Sequence, residues 1–161
     1  MGSDRLLHIY LNDHFAAAVA GRELAARCRS SNRGGDLGTF LLRFEAEVVE
    51  DRATLQAIME RVGARRDPVK QGLAWVVEKI ARLKLNGRIT GYSDLSRLEE
   101  IEGLCLGVEG KLSLWRSLGS VARMDARLSE FPFDRLERRA TAQREALEAF
   151  RLEATARAFG A

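Results

Sequence analysis

Apolar residues recur at intervals of three and four along most of the chain. This spacing places them on one face of an α-helix, whereas a half-buried strand would alternate at every second residue. No stretch alternates for long enough to predict a strand, so the predicted fold class is all-α. Turn clusters such as SSNRGGD, GARRDP and NGRITGYSD separate the helical stretches. The pattern predicts five helices, over residues 4–29, 37–62, 69–85, 94–122 and 133–158.

Polar residues interrupt or border the apolar faces of the four long helices, near the middle of each helix. In chain order they are His14, Glu47, Asp51, Glu102, Glu109 and Gln143. In an antiparallel bundle, mid-helix residues occupy one layer. A buried carboxylate without a partner costs several kcal/mol or stays protonated. We therefore expect these groups to satisfy one another, to hold water or to hold a metal ion.

With these residues the chain resembles the ferritin-like superfamily in helix order, helix length and the placement of polar residues, and EAEVVEDRATL at 45–55 looks like the second helix of that superfamily. The resemblance implies an antiparallel four-helix bundle made of two hairpins joined by a long crossover. The additional short helix over 69–85 would lie in that crossover. It also implies a di-iron carboxylate site at mid-bundle, with a Glu from each of two helices and a Glu-x-x-His motif from each of the other two.

The residues depart from that ligand pattern. Glu47 and Asp51 are four apart where the family has Glu and His three apart, and the last helix offers only Gln143 and Glu145. The prediction is a non-enzymatic structural or interaction module with a degenerate metal centre and no cofactor. The alternative is a bundle that binds one divalent ion (Fe, Mn or Zn), or a di-iron-type oxidoreductase. The candidate metal ligands are His14, Asp51, Glu102, Glu47 and Glu109.

Composition indicates the number of domains, the kinds of partner and the cellular location that are expected. With 161 residues, 46% of them hydrophobic, the chain is predicted to form one domain over 1–161. The 26 Lys and Arg residues nearly balance the 23 Asp and Glu residues and alternate with them along the helices. The chain has no basic stripe of the kind that binds nucleic acid, so nucleic-acid binding is not expected. No apolar run reaches the length that a membrane span needs. Cys28 and Cys105 are isolated, and the N-terminal residues lack a signal-peptide pattern, so a cytoplasmic protein is expected.

Two features predict association. Gly103, Gly107 and Gly110 lie on one side of the helix over 94–122, which suggests close approach of another backbone. The helix over 69–85 is apolar almost all round, and such a helix is usually covered on two sides. We predict a homodimer, with the alternative of a monomer that packs this helix into its own groove.

Overall fold

The computed structural model describes residues 2–66 and 91–160, and within these ranges the chain is helical without strands. This confirms the predicted all-α class. The helices are α1 (Gly2–Ser31), α2 (Gly35–Val62), α3 (Asp94–Ala122) and α4 (Phe133–Phe159), with a short 3₁₀ helix at Ala126–Leu128. The predicted helix over 69–85 lies outside the described residues.

Local chemistry explains two of the helix ends. Ser93 precedes α3, and its hydroxyl accepts a hydrogen bond from the Ser96 N–H over 3.1 Å, as an N-cap does. Gly63 ends α2 with φ of 73°, a left-handed conformation that a glycine adopts without strain. The Ala64 N–H then donates to the Met59 carbonyl over 2.8 Å and closes the helix.

The core lies between the four helices. Packing is most extensive between α3 and α4, and α1 packs on both α2 and α3. The largest fully buried side chains are Trp115, Phe44, Leu11, Leu41, Leu55, Ile58, Met59, Ile101, Leu112, Leu118, Leu128 and Leu136. Each such side chain contributes about 1.5–3 kcal/mol when it is removed from water.

The expected close approach along α3 is found at Gly103 alone among the three glycines. A Cβ there would lie 2.8 Å from Leu24 Cδ2, so the neighbour is α1. Gly107 and Gly110 have no atom within 4 Å of a Cβ among the described residues. The expected partner, the helix over 69–85, lies outside those residues.

Contacts between α1 and its neighbours join particular ends of the helices. His8 Nε2 lies 3.1 Å from the carbonyl oxygen of Val62, at the end of α2, whereas Arg29 pairs with Glu45, near the start of α2. Toward α3, the start of α1 contacts the end of α3, where Tyr10 Oη donates to Ser117 Oγ over 3.3 Å. The end of α1 contacts the start of α3, where Arg27 Nε donates to Glu100 Oε1 over 2.7 Å.

No helix in the described ranges is both long enough and apolar enough to cross a membrane.

Candidate functional site

Asp51 is the centre of a buried group of charges. It lies in the apolar face of α2, and its side chain is only 5% exposed. Lys111 Nζ on α3 donates to Oδ2 over 2.6 Å, and the Arg139 guanidinium on α4 donates to Oδ1. Both oxygens of the carboxylate are therefore engaged by cations.

Lys111 reaches Asp51 through a mostly buried side chain. Its ammonium also donates to Gln143 Oε1 over 2.5 Å and lies 5.8 Å from the centroid of the Phe44 ring. Burial lowers the pKa of Lys111, while the neighbouring Asp51 carboxylate opposes that change. The aliphatic stem lies along the core, and the charged end finds its partners inside the bundle.

Two further carboxylates extend this group. Gln143 Nε2 donates to Glu47 Oε2 over 2.6 Å, and Arg139 Nη1 donates to Glu50 Oε2 over 2.7 Å. We call the connected set the charge layer; its members are Glu47, Glu50, Asp51, Lys111, Arg139 and Gln143. Because carboxylates and cations alternate along it, most of each buried charge is compensated within the layer.

His14 does not contribute to the hydrogen bonds of the charge layer, which all come from α2, α3 and α4. Its ring lies edge-on to the Tyr10 ring, with 4.5 Å between centroids, and the side chain is half-buried. Burial lowers the pKa of His14, and Asp13 opposes the shift. The imidazole is therefore neutral at neutral pH and packs as an aromatic group.

Glu102 and Glu109 lie apart from the charge layer. Glu102 is 3.7 Å from Arg151 and Glu109 is 3.3 Å from Arg144, each across the outer edge of the contact between α3 and α4. The two carboxylates are 49% and 51% exposed, and exposed pairs of this kind contribute about 0–1 kcal/mol.

The structure therefore does not bring the five predicted metal ligands together. Only Asp51 and Glu47 belong to one cluster, and cations and an amide already occupy their oxygens. In residues 2–66 and 91–160, no group of three or more His, Cys, Asp or Glu side chains has an arrangement that could hold a metal ion. The donor set of these described residues does not fit a di-iron centre.

A second buried carboxylate, Glu100, was not predicted. It is 3% exposed and accepts from Arg27 Nε over 2.7 Å and from Tyr92 Oη over 3.1 Å. Asn32 donates to Tyr92 Oη over 2.6 Å and accepts from Arg97 Nε over 2.7 Å. This cluster ties the end of α1 to the start of α3.

Glu100 and Lys111, the two residues of α3 that were not predicted, both lie at margins of its apolar face. Glu100 directly precedes Ile101 on the apolar face of α3, closer to its centre than Glu102 is. Lys111 lies between Val108 and Leu112, at the edge of the same face. Neither position differs by pattern alone from a solvated margin, so only the partners on other helices identify them.

A shallow depression of about 390 Å³ lies on the outer surface of α4, away from these groups. Residues of that helix line it, among them Glu137, Arg138 and Glu145. No member of the charge layer lines it, so it offers the layer no substrate pocket.

Comparison with protein-family models, with curated proteins and with solved structures gave no match.

Proposed function

We propose that this protein is a non-enzymatic structural or interaction module with a ferritin-like bundle, in which a charge layer takes the place of a metal centre. The observation that carries the proposal is the position of Lys111 Nζ, 2.6 Å from Asp51 Oδ2 and 2.5 Å from Gln143 Oε1. An ammonium ion there has the charge sign and the oxygen neighbours that a bound cation would have. A metal ion would have to displace Lys111 to reach Asp51.

The bundle topology is inferred from contacts near both ends of the helices. The start of α1 lies near the end of α2 and near the end of α3, which supports antiparallel pairing of α1 with both. Between α3 and α4, Glu102 near the start of α3 is 3.7 Å from Arg151, and Arg116 near its end is 3.6 Å from Glu137. Helices α2 and α3 would then run in the same direction. This order of helix directions is that of a ferritin-like bundle.

The partner that we propose is a second copy of the chain, in a cytoplasmic homodimer. The outer face of α2, opposite its core face, is apolar and exposed over Leu42, Ala46, Val49, Ala53 and Ala57. Leu42 is 62% and Val49 is 45% exposed. In a two-fold symmetric pair whose axis passes beside Val49, between positions 49 and 50, the large Leu42 of one copy would face the small Ala57 of the other, so the face is complementary to itself.

Metal analysis of the purified protein tests the proposal against the alternative of a divalent-metal-binding or di-iron-type bundle. The protein is produced with Fe, Mn and Zn in the medium, dialysed and analysed for metal per chain. We expect substoichiometric metal in the wild type and in two variants, Asp51→Asn and the surface control Glu153→Gln, at an exposed position that is not a candidate ligand. A stoichiometric ion that is lost in Asp51→Asn and kept in Glu153→Gln would overturn the proposal.

A further inference from the structure

The Phe15 ring carries two guanidinium groups that reach it from different parts of the backbone. Phe15 is a residue of α1, belongs to the hydrophobic core and is 8% exposed, so packing holds the ring in place. The Cζ atom of Arg52, on α2, is 5.6 Å from the ring centroid, and that of Arg66, in the segment after α2, is 4.9 Å from it. Cation–π contact orients each guanidinium and stabilises it only modestly.

Neither guanidinium has a carboxylate partner in the part of the chain that the structure describes. The residues three and four positions from Arg52 on α2 are Val48, Val49, Leu55 and Gln56, so its own helix supplies no acidic side chain. Pairing with a carboxylate is common among the other arginines of the molecule. Those that pair are Arg27, Arg29, Arg43, Arg61, Arg97, Arg116, Arg127, Arg139, Arg144 and Arg151.

Two like charges on one ring repel each other, and the exposed Arg65 lies next to Arg66 in the chain. An anion at this position would relieve the repulsion. Each guanidinium presents a planar pair of N–H donors, which matches two oxygens of a phosphate or carboxylate group. A phosphate group has a charge near −2 and three terminal oxygens, so it can be shared by two guanidiniums more fully than a carboxylate can.

We infer that Arg52 and Arg66, held on the Phe15 ring, form a binding site for a phosphate group. Phe15 is only 8% exposed, so recognition is of the phosphate itself and not of an aromatic base stacked on the ring. The phosphate could belong to a small phosphorylated molecule or to a phosphoserine of another protein, and the chemistry at the site is the same. This inference is independent of the charge layer and goes beyond the proposed function.

The test is a calorimetric titration of the full-length protein with inorganic phosphate, at an ionic strength held constant with chloride. The site variant is Arg52→Gln/Arg66→Gln. The matched control is Arg123→Gln/Arg157→Gln, which removes the same charge from two exposed arginines on α4 and after α3. Helix content from circular dichroism and the melting temperature without phosphate show that each variant is folded.

We expect saturable binding to the wild type and to the control, and binding at least about tenfold weaker to the site variant, because charge-assisted hydrogen bonds are lost. Equal phosphate binding by all three proteins, or none by the wild type, would overturn the inference. A second titration compares a short phosphoserine peptide with its unphosphorylated form. Tighter binding of the phosphopeptide than of inorganic phosphate supports the site and assigns its ligand to a protein. Equal binding of the phosphopeptide and of inorganic phosphate supports the site and assigns its ligand to a free phosphate.

Discussion

Lys111 on α3 and Asp51 on α2 form an ion pair inside the bundle, with 2.6 Å between Nζ and Oδ2 and with side chains 15% and 5% exposed. Removal of one member of such a pair leaves the other charged and without compensation in a medium of low polarity. Replacement of both by apolar residues avoids that penalty. This asymmetry gives the first prediction.

Asp51→Leu should lower the free energy of unfolding by about 3–5 kcal/mol, because Lys111 and Arg139 lose their shared carboxylate. The double variant Asp51→Leu/Lys111→Met should recover most of that loss, since Arg139 keeps Glu50 at 2.7 Å. Urea unfolding followed by circular dichroism measures both. Glu109→Gln, on the surface, is the control and should change stability by less than about 0.5 kcal/mol. An Asp51→Leu variant as stable as the wild type would show that Lys111 and Arg139 do not depend on the Asp51 carboxylate.

Stability should depend on pH through His14. Burial lowers its pKa below 6.5 in the folded state, so between that folded pKa and 6.5 the unfolded chain binds more protons. Its contribution is therefore fully present above pH 6.5 and is lost as pH falls through the folded value. The melting temperature of His14→Gln should fall less than that of the wild type between about pH 7.5 and pH 5. A His14→Gln curve parallel to that of the wild type contradicts the prediction.

The two thiols should differ in reactivity. Cys28 is fully buried, and burial raises its pKa to about 12, with Glu100 adding to the shift. Cys105 is half-buried, and burial also raises its pKa. A thiolate-selective reagent at neutral pH should label Cys105 slowly and Cys28 only after denaturation. Mass spectrometry of the labelled wild type and of Cys105→Ser measures this, and rapid labelling of folded Cys105→Ser would contradict it.

Association through α2 should be sensitive to charge at the centre of its outer face. Val49→Glu places a carboxylate beside the proposed two-fold axis, where two copies would bring like charges together. Light scattering over a concentration series should show a dimeric wild type and a monomeric variant. Leu106→Glu, at a position 59% exposed on α3, is the control and should stay dimeric. A wild type that is monomeric at the highest concentration would contradict the dimer.

The sequence predicted the four long helices that the structure describes, because periodicity reports the direction of each Cα–Cβ bond. Asp51 and Gln143 lie near the centre of the apolar faces of their helices, so this direction alone places them in the core, and both are buried as expected. Lys111 and Arg139 were missed because long cationic side chains can bend from a margin toward the interior or toward water, and their backbone positions are compatible with either.

The surroundings of the carboxylates on α3 could not be predicted for a related reason. Glu102 and Glu109 share one margin of the apolar face, and that margin turns toward solvent and toward arginines of α4. Glu100 turns toward α1, where Arg27 neutralises it. Which margin of a helix is covered depends on where its neighbours lie, and the pattern along one helix does not contain that information.

The charge layer also fixes how far α4 can slide along α2. Shifting α4 by one helical turn, about 5.4 Å, would still place apolar side chains against apolar side chains. The same shift would separate Arg139 from Asp51 and Gln143 from Glu47 together, leaving buried charges without partners. Apolar contacts alone tolerate several alignments of two long helices at similar free energy. We therefore expect the layer to select a single register for the bundle, even though an apolar replacement of the whole layer could be more stable.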